Sequence, residues 1–157
     1  MRPTKNDLPK ATRESTIVLL NARLADAFDL YSQVKQAHWN VRGPNFIGLH
    51  KLFDEVADAV LEHVDMIAEQ AAQLGGTAMG TVRMAAKATK LKEYPADIIS
   101  CEDHANAVSD RLAQFGKLVR DGIDEADKAG DADTADLFTE ISRSIDKYRW
   151  FVESHVE

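Results

Sequence analysis

His38, His50, Asp54, Asp65 and Glu69 are side chains of the kinds that bind transition metals, and their spacing in the first half of the chain is regular. In QAHWNVRGPNFIGLHKLFDE (residues 36–55), His38 and His50 flank a helix-breaking NVRGPN stretch, and Asp54 follows His50 by one helical turn. A second acidic couple, Asp65 and Glu69, follows in DMIAEQ. Each i, i+4 pair aims two donors the same way from adjacent turns. At about 100° per residue, His50, Asp54, Asp65 and Glu69 span an arc of roughly 100° on one helix face. Imidazole with carboxylates suits Fe(II), Zn(II) or Mn(II), and the absence of thiolates disfavours structural zinc and iron–sulfur clusters.

The four residues are aligned but not close. Asp54 and Asp65 lie roughly 16 Å apart along a helix, so one copy cannot wrap them around one ion. The pairs are, however, symmetric about a midpoint between Ala59 and Val60. Two antiparallel copies of this helix, crossing there, set His50 opposite Glu69 and Asp54 opposite Asp65. A two-fold dimer makes each contact twice and so builds two identical sites, each from both chains. His38 can add a nitrogen if the intervening turn folds it back. The alternative is that these pairs are solvated helical salt bridges, which charged helices often carry.

The elements that must position these residues follow from periodicity and punctuation. Apolar residues at three- and four-residue steps predict helices over residues 12–38 and 46–74, separated by Gly43-Pro44 and closed by Gly75-Gly76. Residues 77–95 form a small-residue stretch with room for one short helix. A third long helix is expected from just after Pro95 to about Lys128, and a fourth over 134–154 after the AGDAD turn. Two short connections and one long one predict an all-α, ferritin-like four-helix bundle, with a long crossover between helices 2 and 3. The bundle domain is expected over residues 11–157, behind a short basic tail at 1–10. Glu-x-x-His, the signature of a di-iron centre inside such a bundle, does not occur.

The 157 residues are enough for one domain with a hydrophobic core; 45% are hydrophobic and 29% charged, which excludes a disordered chain. The net charge of −7 sets the body against nucleic acid and anionic membrane. Arg2, Lys5, Lys10 and Arg13 nonetheless make the N-terminus basic, and the first three are the candidate DNA contacts. The single Cys101 excludes an internal disulfide, fits a reducing cytosol and reads as a buried small apolar group. No apolar run approaches membrane-spanning length, and the expected location is the cytoplasm, with nucleoid association as a variant.

KQAHWNVRGPNFIGLHKLFDE followed by EHVDMIAEQAAQLGG closely resembles the Dps family, the DNA-binding proteins from starved cells or mini-ferritins. The resemblance continues through YPADI, EDHA and DTADLFTEISRSIDKYRWFVES. It implies a ferroxidase centre at a two-fold interface, with His38, His50 and Asp54 from one subunit and Asp65 and Glu69 from its partner. It also implies a hollow homododecamer that oxidises Fe(II), preferably with hydrogen peroxide, and stores ferric mineral. Zn(II), which suits the same donors, is the candidate competitor. By the same resemblance Trp39 accepts oxidising equivalents, although a packing role is equally open. His63 is read as facing the same region, either orienting a ligand by hydrogen bonding or standing as an exposed interface residue. Asp127, Asp131, Asp133 and Asp136 match a region that lines three-fold pores, while also being good helix-terminal residues. Members that bind DNA use long, mobile, lysine-rich tails. Here the N-terminal segment is brief and FVESHVE is acidic, so DNA binding is expected to be weak or absent. The alternative function is a nucleoid protein with incidental metal binding.

Overall fold

The computed structural model describes residues 1–156. Its helices are α1 (Lys10–Asn40), α2 (Phe46–Gln73), α3 (Val82–Ala88), α4 (Cys101–Ala129) and α5 (Ala132–Glu153). Among the described residues there is no strand, only an isolated bridge between Arg42 and Ser100. No helix among them is long and apolar enough to cross a membrane. The expected all-α bundle, with a short extra helix in the crossover, is the observed fold.

Helices α1 and α2 pack along each other, as do α4 and α5, and the two pairs meet through α1–α4 and α2–α5. The direction of α4 follows from its ends. Its first residues lie beside the α1–α2 turn, where the Arg42 N–H donates to the Ile99 carbonyl at 3.0 Å. Its last residues lie beside the start of α1, where Thr12 Oγ1 donates to the Ala129 carbonyl at 3.0 Å. The crossover from residue 74 to 100 must therefore climb the length of the bundle. Leu20, Leu24, Leu30 and Val34 of α1, Phe53, Val56, Val60 and Ile67 of α2, Leu112 and Phe115 of α4, and Phe138, Ile141 and Ile145 of α5 fill the core.

Helix α1 buries polar as well as apolar groups because it is covered on a further side by the crossover. Asp26, Asp29 and Gln33 form an i, i+3, i+7 stripe that hydrogen-bonds crossover groups. Asp26 Oδ1 accepts from the Lys90 N–H at 2.6 Å, Asp29 Oδ2 from the Thr89 hydroxyl at 2.8 Å, and Gln33 Nε2 donates to the Lys92 carbonyl at 3.1 Å. From α4, Arg111 donates to the Lys92 and Glu93 carbonyls at 2.8 and 2.9 Å, and Gln114 pairs with Lys90 and Lys92. A segment with little secondary structure is held because its backbone groups are satisfied by side chains.

Helix α4 starts at Cys101, not just after Pro95. Ser100 caps it, its hydroxyl accepting from the Asp103 N–H at 3.0 Å and donating to Asp103 Oδ2 at 2.7 Å. That reciprocal pair fixes the start, while the residues after Pro95 bend and Ile99 and Ser100 lie beside Arg42 of the α1–α2 turn. Cys101 is buried. A Cβ on Gly43, whose φ is +134°, would lie 3.2 Å from its sulfur, so the turn and the α4 start approach too closely for a larger residue.

Candidate metal centre

Helix α1 ends at Asn40, and the Val41 N–H closes its last turn on the Ala37 carbonyl. The carbonyl of His38 is thus among those a helix end leaves without a partner. His50, in the second turn of α2, supplies one: its Nδ1 lies 2.8 Å from the His38 carbonyl oxygen. The reverse contact is also made, with His38 Nδ1 2.6 Å from the His50 carbonyl oxygen. A carbonyl only accepts, so both Nδ1 atoms carry hydrogen and both Nε2 atoms of the neutral rings keep a lone pair. The rings stack with centroids 3.8 Å apart. Reciprocal bonding thus fixes tautomer and orientation together, which is how proteins prepare imidazoles as metal ligands.

Asp54 completes this group, with Oδ1 3.8 Å from His38 Nε2. The same oxygen accepts a 2.6 Å hydrogen bond from Lys35 Nζ. That bond above all, helped by the positive charge nearby, holds the Asp54 carboxyl below the ordinary carboxylate range, so it stays ionised at neutral pH. Lys35 was missed in the sequence, although it stands one helical turn before His38 on the same face of α1. Its ammonium holds the oxygen that a cation bound by Asp54 would need. Lys35→Gln is expected to tighten anaerobic Fe(II) binding by about tenfold, a gain of about 1.4 kcal/mol, modest because Asp54 is half-exposed and screened. Calorimetric titration checks this, and unchanged affinity would mean that Lys35 swings away at no cost.

Asp65 and Glu69 are exposed on the distal half of α2. Among the described residues, no three His, Cys, Asp or Glu side chains are grouped within one chain so as to hold a metal ion. His38, His50 and Asp54 are brought together; Asp65 and Glu69 are not brought to them.

The structure corrects two further expectations. His63 faces away from this group: it stands two residues before Asp65, so it projects from the opposite side of α2. It is buried, with Nε2 2.9 Å from Ser144 Oγ on α5. Asp131 is only 1% exposed and is spent on the α5 N-terminus, accepting from the Thr134 N–H at 3.0 Å and the Thr134 hydroxyl at 2.9 Å. It therefore cannot face a pore, and its cap starts α5 at Ala132 rather than Thr134. Asp127, Asp133 and Asp136 are exposed. Trp39 is 66% exposed, which rules out packing within its own chain; Lys35 Nζ lies 5.6 Å from its ring centre.

Burial lowers the pKa of His63 and of His104, which is on α4, outweighing the neighbouring carboxylates that favour their charged forms. The unfolded chain then takes up protons near the ordinary histidine value of 6.5, before the folded chain does. Their contribution to stability is complete above that pH and is lost as pH falls below it. The melting temperature is expected to drop between about pH 7.5 and 5.5, with a shallower drop in His63→Gln/His104→Gln. Equal slopes would contradict this.

The N-terminal segment is bound rather than free. The Arg2 N–H donates to the Gly75 carbonyl at 2.7 Å and its guanidinium to the Gly76 carbonyl at 2.9 Å. Arg13 donates to the Leu74 and Leu8 carbonyls at 3.2 and 3.1 Å. These cations cover the carbonyl end of α2, where positive charge is favoured. Lys10, the first residue of α1, pairs with Glu14 at 3.7 Å, and Lys5 is exposed.

Comparison with known proteins agrees with this architecture. The ferritin-like domain family matches residues 17–157. A DNA protection during starvation protein of Agrobacterium fabrum is 46% identical over 98% of this chain and 95% of its own length. The protein of that name from Brevibacillus brevis is 34% identical over 89% and 93%. Among solved structures, Mycobacterium smegmatis Dps superposes with a TM-score of 0.94 at 28% identity, covering 100% of this chain and 94% of that one. Dps from Staphylococcus aureus does so at 0.86 and 29% identity, over 92% and 96%. With its five helices, its crossover and these relatives along nearly its whole length, the chain belongs to the Dps family of ferritin-like proteins.

Proposed function

We propose that the chain oxidises Fe(II) with hydrogen peroxide at sites shared between two subunits, and stores the ferric product as mineral inside a homododecamer built from two-fold dimers. The observation that carries this reading is the reciprocal His38–His50 pair, in which His38 Nε2 stands 3.8 Å from the ionised Asp54. Asp65 and Glu69 of a second copy complete the ligands by the symmetry of α2. Fe(II) displaces the Lys35 ammonium from Asp54. A site with few protein ligands leaves positions open for peroxide. Two Fe(II) ions supply two electrons, the O–O bond breaks to two hydroxides, and no hydroxyl radical is released. Zn(II), which suits the same donors, competes without turnover.

Ferric absorbance after anaerobic loading with Fe(II), followed by hydrogen peroxide, tests this. Fast oxidation is expected in the wild type and background oxidation in Asp54→Ala/Glu69→Ala. Equal, slow rates in both would make the His38–Asp54 cluster structural.

DNA protection in this reading comes from removing Fe(II) and peroxide, in the cytoplasm, rather than from a stable DNA complex. Arg2 is engaged by α2, so the N-terminus offers Lys5 and Lys10 against a body of strong negative charge. The rival reading, a nucleoid protein with incidental metal, requires a gel shift that survives moderate salt and vanishes when residues 1–10 are deleted.

A further inference from the structure

We infer that Tyr94 and His104 form a redox site in which Tyr94 gives up an electron and passes its phenolic proton to His104, taking up the unpaired oxidising equivalent that an odd-electron encounter of Fe(II) with peroxide leaves behind. Two observations place the pair. The Tyr94 hydroxyl oxygen lies 2.7 Å from His104 Nδ1, with the rings stacked at 5.9 Å between centres. An open cleft of about 680 Å³ between α1 and the crossover is walled by both Trp39 and Tyr94, and by Gln33 and Gln36. The residue beside the candidate iron ligand His38 and the tyrosine of the pair thus share one space.

The direction of the hydrogen bond follows from what surrounds it. Among the described residues no other acceptor takes the phenolic hydrogen, so Tyr94 donates and Nδ1 accepts. The hydrogen of His104 is then on Nε2. That atom is buried and has no partner of proper geometry, although the Ile98 backbone is near enough to favour a protonated ring, as is the Asp103 carboxylate. Burial raises the Tyr94 pKa well above its ordinary value, more than the Arg111 guanidinium lowers it. Tyr94 therefore cannot ionise first and be oxidised afterwards; electron and proton must leave together, and Nδ1 is there to receive the proton. His104 is 1% exposed. A buried histidine with one nitrogen on a phenol and the other without a well-aligned partner is costly as mere packing. Neither residue takes part in the metal site described above.

The inference rests on the proposed iron oxidation only for the source of its oxidant. One Fe(II) gives one electron to hydrogen peroxide, and the O–O bond breaks to hydroxide and a hydroxyl radical. Trp39 gives the electron that reduces this radical to hydroxide, and becomes a radical cation. Tyr94 returns an electron to Trp39 while its proton moves to His104 Nδ1. The products are a neutral Tyr94 radical, an imidazolium and restored Trp39. When the radical is later reduced by a thiol, the proton returns.

The test is electron paramagnetic resonance on rapidly frozen samples of the assembled protein, loaded with one Fe(II) per subunit and mixed with hydrogen peroxide. Ferric absorbance is read on the same mixtures. Wild type is expected to give a tyrosyl signal, and Tyr94→Phe to lose most of it, with assembly confirmed by light scattering. His104→Gln, which keeps a hydrogen-bond acceptor but not a base, is expected to weaken it. Trp39→Phe should weaken it too. A full signal in Tyr94→Phe would assign the radical to Tyr31 or Tyr148 and overturn the inference, and a full signal in His104→Gln would remove the proton acceptor. Absent ferric absorbance would fail the iron reading instead. For that case the iron-free protein is oxidised with flash-generated ruthenium(III) trisbipyridine, where the same loss in Tyr94→Phe is expected and its absence overturns the site.

Discussion

Mixing two inactive variants is expected to restore iron oxidation. His50→Ala/Asp54→Ala removes one set of ligands and Asp65→Ala/Glu69→Ala the other. Each alone should lose more than about 100-fold in rate, since altering even the outer partners of metal ligands costs 10–100-fold. In a heterodimer, one of the two sites combines both damaged halves and the other combines both intact halves. Equal mixing after dissociation makes half of the dimers mixed, so about one quarter of the sites should return. A ferric absorbance assay reads this directly. The outcome separates a shared site from one built within a chain, because no recombination repairs a site whose ligands all come from one subunit. Recovery that stays at background, with mixed assemblies verified by native mass spectrometry, would sink the shared-site reading.

Asp26→Ala is expected to be the most destabilising single change, at about 3–5 kcal/mol by chemical denaturation. Asp26 is fully buried and its carboxylate lies 2.9 Å from Arg23 Nε, itself only 7% exposed. Burial raises the Asp26 pKa more than Arg23 and the Lys90 N–H lower it, so the pair adds little net stability as an ion pair. Removing one partner is another matter. Arg23 would keep one long bond, to the Leu118 carbonyl at 3.2 Å, and would otherwise be a buried charge without a counterion. The Lys90 N–H and the Thr89 hydroxyl would lose an acceptor, loosening the crossover that walls the Trp39 cleft. Asp26→Asn keeps an acceptor for Lys90 and isolates the charge effect; it should fall between the two. If Asp26→Ala unfolds with an unchanged midpoint, the stripe on α1 does not hold the crossover.

How much of this was legible in the chain depends on the range of each interaction. The helices declare themselves through apolar residues at three- and four-residue steps, and the α1–α2 turn through Gly43-Pro44, because those signals act between neighbours in sequence. Errors at helix starts have a local cause as well. Ser100 with Asp103 and Asp131 with Thr134 are caps that a close reading can find, and they move α4 later and α5 earlier than apolar spacing suggests. His63 lies opposite Asp65 on the helix wheel, so its closeness in sequence to the acidic pair does not bring it to their face.

The proposed ligand set is read from the sequence. Residue types and i, i+4 spacing bring His50 with Asp54 and Asp65 with Glu69, and the roughly 16 Å between the couples already excludes one chain from closing the site. What the sequence could not decide are contacts made across the bundle. Lys35 on Asp54, the reciprocal bonds that hold both histidine tautomers, Arg2 on the end of α2, and Tyr94 against His104 each need a backbone path to be known first. Their partners are 10 to 74 residues apart, and no periodicity relates them. Local sterics and burial patterns choose the helices. Which donor meets which acceptor, and which charge is left free, is settled when the helices pack.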